Sequence, residues 1–257
     1  MALVFGVIHP STCKQISGHP GRIPSTAWPQ EGSVPRPNDL TQAKAAATVL
    51  EMFTPTLQEH FGQIDIYLFD QLLKGRIARG MRILDAGCGS GRNLVYFLRE
   101  GYEVYAADAE QQAVESVRSL ARRFAPALPM SNFRVERVES MTFDDACADV
   151  VISNAVLHFA RDDAQFEAMI LGSWRVLKPD GLFFCRLAST IGMESQLRPM
   201  GGRRFQSPDG VERYLVDATL LGAMTERIGG ELVEPLKTTV VQNQRAMTTW
   251  VVEKKRR

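Results

Sequence analysis

The chain has 257 residues, 45% of them apolar, which is enough to bury a substantial core in one large α/β domain or two small ones. Its formal net charge of +1 gives no argument for a nucleic-acid or membrane surface. The four cysteines form no C-x-x-C pair and the four histidines lack metal-ligand spacing, so the sequence predicts neither a disulfide framework nor a metal site.

The first 37 residues differ in composition from the rest of the chain. Six of the thirteen prolines lie there, among serines and glycines and without an apolar period. Such a segment buries too little surface to offset its ordering entropy, so we expect a disordered tail over 1–37, with a partner-binding arm as the alternative. The apolar stretch over 1–8 is too short for a membrane span and is followed by no cleavage pattern, so we expect a cytoplasmic protein.

A single domain is expected over 38–257, starting with helices within 38–78. Asn38 or Asp39 is a plausible N-cap for an Ala-rich helix over 41–53. A second helix is predicted by apolar residues that recur at i, i+3, i+4 and i+8, namely Ile64, Tyr67, Leu68 and Leu72.

Strand and helix patterns then alternate. Strands are predicted near 81–86, 103–107, 132–138, 148–154 and 181–187, and helices near 92–100, 110–124 and 162–177. This alternation favours a parallel sheet covered on both faces. The segment between the third and fourth strands is short, so its crossover is expected to be an abbreviated turn.

The last part of the chain begins with an interruption at 189–215, which is rich in Gly, Pro and Arg. The turn sequence Ser207-Pro208-Asp209-Gly210 predicts a loop or hairpin able to act as a lid. A helix near 216–228 and strands near 232–241 and 245–253 are expected to close the domain.

The most informative stretch is R-I-L-D-A-G-C-G-S-G-R-N, from Arg82 to Asn93. It predicts a buried strand with Asp85 at its tip, a tight turn with three glycines, and a helix start at Asn93. Unpaired N–H groups at a helix start suit a carboxylate or phosphate. A carboxylate in the same turn would repel a pyrophosphate and attract an ammonium group, so a ligand that carries both an amine and a carboxylate fits best.

The run D-A-G-C-G-S-G resembles the nucleotide-loop motif of class I S-adenosylmethionine-dependent methyltransferases, whose ligand ends in a methionine moiety. The dinucleotide-binding fingerprint has the different spacing G-x-G-x-x-G. The resemblance covers roughly residues 60–253. It implies a doubly wound, Rossmann-like, mostly parallel seven-stranded sheet with an antiparallel last strand, and S-adenosylmethionine as the cofactor.

The resemblance also implies a cofactor site at four strand ends. Asp108, 23 residues after Asp85, matches the acid that accepts the ribose hydroxyls, with a helix N-cap as the alternative role. Arg137-Val138-Glu139 replaces the acid and small residue that usually read the adenine, and Asn154 lies at the strand end near the sulfonium. The implied cofactor-binding residues are Asp85, Gly87, Cys88, Gly89, Gly91, Asn93, Asp108, Ala109, Val138, Glu139 and Asn154.

Arginines are the candidates for recognising the methyl acceptor. Arg186 ends an apolar strand, where burying a charge is costly unless it has a partner or a functional role. The segment 242–252 resembles the end of small bacterial methyltransferases of the tellurite-resistance type, and Arg245 matches their active-site arginine by position. His158 is a catalytic candidate, with packing or capping as the alternative. The insertion and its flank add Arg198, Arg203, Arg204 and Arg213.

The sequence therefore predicts a methyltransferase (EC 2.1.1.-) that acts on a small acceptor, for which the arginines allow a negative charge. The alternatives are a nicotinamide-dependent oxidoreductase on a related sheet and a non-catalytic protein that binds the cofactor. Neither the identity of the acceptor nor the oligomeric state follows from the sequence.

Overall fold

The computed structural model of the chain describes residues 55–256. The predicted tail over 1–37, both predicted N-caps and the predicted helix over 41–53 lie outside these residues. Helix α1 (Leu57–Phe61) begins with a capping box, in which Thr56 and Glu59 each accept a hydrogen bond from the other's backbone N–H. Helix α2 (Ile66–Leu73) begins after Asp65, whose carboxylate accepts from the N–H of Tyr67.

The middle of the chain alternates between strands and helices, as the sequence predicts. In chain order the elements are β1 (Arg82–Ala86), α3 (Val95–Arg99), β2 (Glu103–Asp108), α4 (Gln111–Phe124), β3 (Phe133–Val135), β4 (Ala148–Asn154), α5 (Asp163–Val176) and β5 (Leu177–Ser189). Two elements are shorter than expected. Helix α3 starts only at Val95 because the glycine turn continues to that point, and β3 ends at Val135.

The crossover between β3 and β4 contains no α-helix. A single 3-10 turn at Val138–Ser140 lies between the two strands. This confirms the abbreviated crossover that the short spacing predicts, and it places Val138 and Glu139 in a turn rather than in the strand expected to reach residue 138.

The segment after β5 forms a small antiparallel sheet. Its strands are β6 (Arg198–Gly201), β7 (Arg204–Gln206) and β8 (Glu212–Tyr214), paired in that order. The sequence predicts only a loop or hairpin here, so the third strand is an addition.

The chain closes with α6 (Ala218–Arg227), β9 (Gly230–Leu232), β10 (Lys237–Val241) and β11 (Arg245–Lys254). The single strand predicted over 232–241 is wrong, because the structure has two short strands with Pro235 between them. Proline lacks the N–H that a continuous strand would donate.

Seven strands of the large sheet follow the order β10-β11-β5-β4-β1-β2-β3, and β9 pairs separately with β11. β11 runs antiparallel to β5, whereas β5, β4, β1, β2 and β3 are parallel to one another. This confirms the predicted doubly wound sheet with an antiparallel last strand. The strand order reverses between β1 and β4, and ligands of such sheets bind beyond the carboxyl ends of the strands at that point.

The core lies on both faces of the large sheet. One buried cluster includes Leu84, Val151, Phe183 and Trp250, together with residues of α5 and α6. The other includes residues of α2, α3 and α4 packed against the sheet residues Ile83, Ile152, Phe184 and Val251. Among residues 55–256, no helix combines the length and the apolar character needed to cross a bilayer.

Candidate functional site

A cleft of about 830 Å³ opens at the carboxyl ends of β1, β2 and β4. Every predicted cofactor-binding residue except Asp85 and Gly91 lines it, namely Gly87, Cys88, Gly89, Asn93, Asp108, Ala109, Val138, Glu139 and Asn154. The cleft therefore lies at the switch point of the sheet, where the topology predicts a ligand.

The glycine turn forms one wall of the cleft. The N–H groups of Gly87 and Cys88 both donate to the carbonyl of Ala107, at 2.8 and 3.0 Å. Gly87 has φ +86°, and a Cβ there would lie 2.4 Å from Cγ2 of Val156. Gly91 has φ +79° and packs against α4 through Leu120, so it shapes the turn from behind the cleft.

Asp85 lies directly behind this wall and is 1% exposed. Neither of its carboxylate oxygens has a hydrogen-bond partner among the described residues. Burial raises the pKa of Asp85 to about 8, while the Arg92 guanidinium opposes this shift and Asp108 adds to it. An unpaired buried carboxylate is costly, and a cationic ligand group would stabilise its charged form.

Arg92 is a cleft residue that the sequence reasoning missed. It follows the last glycine of the motif, lines the cleft and donates from Nη2 to Oδ1 of Asn154 over 3.1 Å. The Nδ2 of Asn154 is buried and has no partner within the described residues. The sequence marks Arg92 only by its position directly after the third glycine. That signal is weak, because arginines near helix starts are common on protein surfaces.

Asp108 joins β2 to the glycine turn. One carboxylate oxygen accepts from the N–H of Gly89 over 2.9 Å and the other from the N–H of Glu110 over 3.0 Å. Glu110, not Asp108, is the N-cap residue of α4, and its side chain makes no cap hydrogen bond. Asp108 lines the cleft with further acceptor capacity, so its ribose role stays a prediction.

The third strand end forms the opposite side of the cleft. Glu139 Oε1 accepts from Nε of Arg137 and Nε2 of Gln165, each over 2.9 Å. The carbonyl of Val138 packs against Gly172 of α5, where a Cβ would lie 2.4 Å from that oxygen. This carbonyl therefore faces the helix, and the expected backbone contact with adenine would have to come from N–H groups of the turn.

Three further lining residues come from later in the chain. They are Phe159, which is 63% exposed, and Gln165 and Met169 of α5. All three follow β4, whereas the turn Val138–Ser140 that they face precedes it. No local motif marks them, so only the packing of α5 reveals their place in the site.

Arg186 does not line the cleft. Its Nη1 donates to Oδ2 of Asp65 over 2.9 Å, and its guanidinium lies over the Tyr67 ring, 5.2 Å from the ring centroid. The pair is largely buried, and this explains a charge at the end of an apolar strand. Asn154, its register neighbour on β4, does line the cleft.

His158 also lies outside the cleft lining. It is 5% exposed, and its Nδ1 accepts from the N–H of Ala188 over 3.2 Å. Burial, reinforced by Arg213 and Arg245, lowers the pKa of His158 to about 4. The imidazole is therefore neutral at physiological pH, and its geometry matches the packing alternative.

The remaining arginines divide into paired and unpaired groups. Arg203, Arg204 and Arg213 pair with Asp217, Glu212 and Asp209 respectively, so much of the positive charge of the insertion is compensated internally. Arg198 at the start of β6 and Arg245 at the start of β11 are both exposed, and no ion pair involves either of them within residues 55–256. In the same range, no cluster of His, Cys, Asp and Glu side chains could hold a metal ion.

Residues 84–185 match the model of a family described as a methyltransferase domain. This segment is therefore similar to methyltransferase domains. It runs from β1 into β5 and contains the glycine turn and all residues named above as lining the cleft.

Curated relatives carry similar domains. The chain is 30% identical over 107 residues to an uncharacterized methyltransferase of Synechocystis sp., covering 42% of this chain and 47% of that protein. It is 29% identical over 171 residues to a ubiquinone biosynthesis O-methyltransferase of Chelativorans sp., covering 61% of this chain and 64% of that protein. The chain thus spans between about half and two thirds of the length of these relatives.

Several solved structures share the fold of this chain. A SAM-dependent methyltransferase of Methanosarcina mazei superposes with a TM-score of 0.60 at 20% identity, covering 72% of this chain and 98% of that one. The 1,6-didemethyltoxoflavin-N1-methyltransferase of Burkholderia thailandensis, solved with 1,6-didemethyltoxoflavin and S-adenosylhomocysteine, has a TM-score of 0.56 at 19% identity, covering 89% and 94%. The cyclase SpnF has a TM-score of 0.56 at 14% identity, covering 85% and 94%.

Proposed function

We propose that the protein is an S-adenosylmethionine-dependent methyltransferase that acts on a small-molecule acceptor. The observation that carries this proposal is the buried Asp85 carboxylate, which has no partner among the described residues and lies near Arg92 behind the glycine turn. Opposite charges at one end of the cleft suit the ammonium and carboxylate of a methionine moiety. A pyrophosphate would be repelled by Asp85, which disfavours a nicotinamide dinucleotide.

The other cleft residues have matching roles in this proposal. Asp108 would accept the ribose hydroxyls, the turn containing Glu139 would meet the adenine, and the free Nδ2 of Asn154 would face the reacting end. When bound, the cofactor supplies an electrophilic methyl group on a sulfonium. The protein must then hold the acceptor atom in line, about 3 Å from the methyl carbon, and exclude water.

A general base is needed only where the acceptor arrives protonated. His158 is poorly suited to that task, because it is buried, does not line the cleft and already accepts a hydrogen bond at Nδ1. The pKa of His158, about 4, also opposes proton transfer from a substrate to this side chain. The proposal therefore favours acceptors that are nucleophilic at neutral pH without help from this histidine.

The size of the cleft and the reactions of two similar proteins support a small acceptor. The relatives include enzymes of ubiquinone biosynthesis and of toxoflavin methylation, whose substrates are small molecules. A negative charge on the acceptor would be met by Arg245, the exposed arginine of β11. Arg186 contributes less net charge, because Asp65 compensates it.

Cofactor binding without methyl transfer is the second candidate function. The same fold occurs in the [4+2]-cyclase SpnF, so the fold alone does not require methyl transfer. Formation of S-adenosylhomocysteine in the presence of acceptors separates the two functions.

Calorimetric titration with S-adenosylhomocysteine and S-adenosylmethionine, with NAD⁺ in parallel, tests the proposal. We expect both adenosyl ligands to bind and NAD⁺ not to bind; absence of heat from the adenosyl ligands at millimolar concentration would refute the proposal. A turnover screen over thiols, carboxylates, oxyanions, halides and small amines then follows. Binding of the cofactor without turnover of any acceptor class would favour the non-catalytic function.

A further inference from the structure

Asp65 is a buried residue that contacts Asn93 through its backbone N–H and Arg186 through its carboxylate. Its side chain is 3% exposed, although it lies at the N-terminus of α2, outside the matched domain segment. Its backbone N–H donates to Oδ1 of Asn93 over 3.0 Å, and its Oδ2 accepts from Arg186. It therefore connects the turn before α3 with the last part of β5.

The first contact determines which end of the Asn93 amide can meet a ligand. A backbone N–H can only donate, so the Asn93 atom that faces Asp65 must be the side-chain oxygen. The Nδ2 of Asn93 is then the end left for the cleft, which Asn93 lines. An amide N–H₂ held in this direction suits an anionic or carbonyl oxygen of a bound molecule.

The second contact holds Arg186 beside the reacting end of the cleft. Arg186 pairs in register with Asn154, so the two side chains leave the same face of the sheet. With one guanidinium nitrogen bound to Asp65 and the Tyr67 ring alongside, Arg186 is fixed and its charge is compensated. Its buried Nε has no partner among the described residues and remains available as a donor.

Capping of α2 does not explain both contacts. The cap uses Oδ1, which accepts from the N–H of Tyr67, whereas the ion pair uses Oδ2. A serine or asparagine would cap the helix equally well. A carboxylate is required only by Arg186.

We propose that Asp65 is a positioning residue, which holds the Asn93 amide toward the cofactor and the Arg186 guanidinium beside Asn154. This inference rests on the proposed function and extends it to a residue that contacts neither reactant. If Asp65 loses its charge, Arg186 becomes a buried unpaired cation and the N-terminus of α2 is expected to move away from Asn93.

A double-mutant cycle on S-adenosylhomocysteine affinity tests this proposal. Asp65→Asn keeps the helix cap and is expected to weaken binding about tenfold, the effect of one lost oriented hydrogen bond. In an Asn93→Ala background the same substitution should have little further effect, because the group that Asp65 positions is already absent. A purely structural role would give equal losses in both backgrounds.

Asp70→Asn is the matched control. Asp70 lies on the same helix, pairs with Lys74 and Lys237 and does not line the cleft, so its variant should keep the wild-type affinity. If Asp65→Asn does not fold, the double variant Asp65→Asn/Arg186→Gln takes its place in the cycle, since it removes the same ion pair and leaves no buried cation unpaired. It should weaken binding about tenfold beside Asn93 and have little further effect beside Asn93→Ala.

The outcomes separate this inference from the proposed function. Wild-type protein that binds no S-adenosylhomocysteine refutes the proposed function and the inference together. Wild-type protein that binds it, with unchanged affinity in Asp65→Asn or with additive losses in the cycle, overturns the inference alone.

Discussion

Three aspartates near the cleft show how environment assigns different tasks to one side chain. Asp65 is paired with Arg186, Asp108 accepts from two backbone N–H groups, and Asp85 has no partner among the described residues. Because only Asp85 lacks compensation, it is the carboxylate whose charged form a ligand can stabilise most.

The raised pKa of Asp85 predicts a pH dependence of cofactor binding. Its pKa is raised from 3.8 to about 8, first by burial, so the ligand-free carboxyl is largely protonated at pH 6. An ammonium group needs the ionised form, so binding should release a proton, and affinity should rise between about pH 6 and pH 8. Calorimetric titration with S-adenosylhomocysteine across this range measures the trend.

Asp85→Asn isolates the contribution of this group. The variant should bind more weakly by about 1–3 kcal/mol at pH 8, as expected for a lost charged hydrogen bond, and its affinity should vary less with pH. Asp149→Asn, on a half-buried carboxylate that pairs with Lys178, is the control and should retain the wild-type slope. A wild-type slope in Asp85→Asn would assign the titration to another group.

At the scale of elements, α5 packs closely against the turn at Val138–Ser140, which forms one side of the cleft. Gly172 of α5 packs on the carbonyl of Val138, and a Cβ there would lie 2.4 Å from that oxygen. Alanine favours a helix over glycine by about 1 kcal/mol. At Gly172 the clash between an added Cβ and the Val138 carbonyl outweighs this gain in helix propensity, because relieving it requires α5 or the turn at Val138–Ser140 to move.

We therefore predict that Gly172→Ala lowers both stability and cofactor affinity. Gly222→Ala is the matched control, since Gly222 lies inside α6 and an added Cβ would meet no atom within 4 Å, and it should gain about 0.5–1 kcal/mol from helix propensity. Urea unfolding and calorimetry of both variants measure these effects. Equal stabilisation of the two proteins would show that the turn at Val138 is free to shift.

The elements also show what a sequence can and cannot predict. The glycine turn and the ends of β1, β2 and β4 follow from local spacing, because each depends on torsions and apolar periods within a few residues. The doubly wound sheet with an antiparallel last strand is implied by the family resemblance of the glycine loop. The partner of Arg186 does not, since Asp65 lies 121 residues earlier. Phe159 and Gln165 enter the cleft only through the packing of later elements, and Pro235 divides a strand whose composition is otherwise continuous.

At the scale of the molecule, two ionic contacts fasten α2 to the large sheet. One is the Asp65–Arg186 pair at the helix start. The other lies near the helix end, where Glu234 pairs with Lys74, Arg76 and Lys237. The two contacts hold the two ends of α2, and only the first involves a residue that also contacts Asn93.

The Glu234 cluster predicts acid sensitivity of the whole fold. Burial alone would raise the pKa of Glu234, but hydrogen bonds from Lys74, Lys237 and Arg76 outweigh it and lower the pKa from 4.5 to about 2. A depressed carboxyl pKa contributes stability that is fully present above the unfolded-state value and is lost as pH falls toward the folded-state value. The contribution of Glu234 should therefore disappear between about pH 4.5 and pH 2.

Urea unfolding of wild-type protein and Glu234→Gln at several pH values measures this contribution. We expect the variant to be less stable by about 2 kcal/mol at pH 7, since the three cations are partly solvent-screened, and the difference to shrink toward pH 2. Glu231→Gln, on an exposed residue that pairs with Lys255, should match wild-type protein throughout. A stability difference that stayed constant from pH 7 to pH 3 would mean that Glu234 acts through packing, because packing does not depend on its charge.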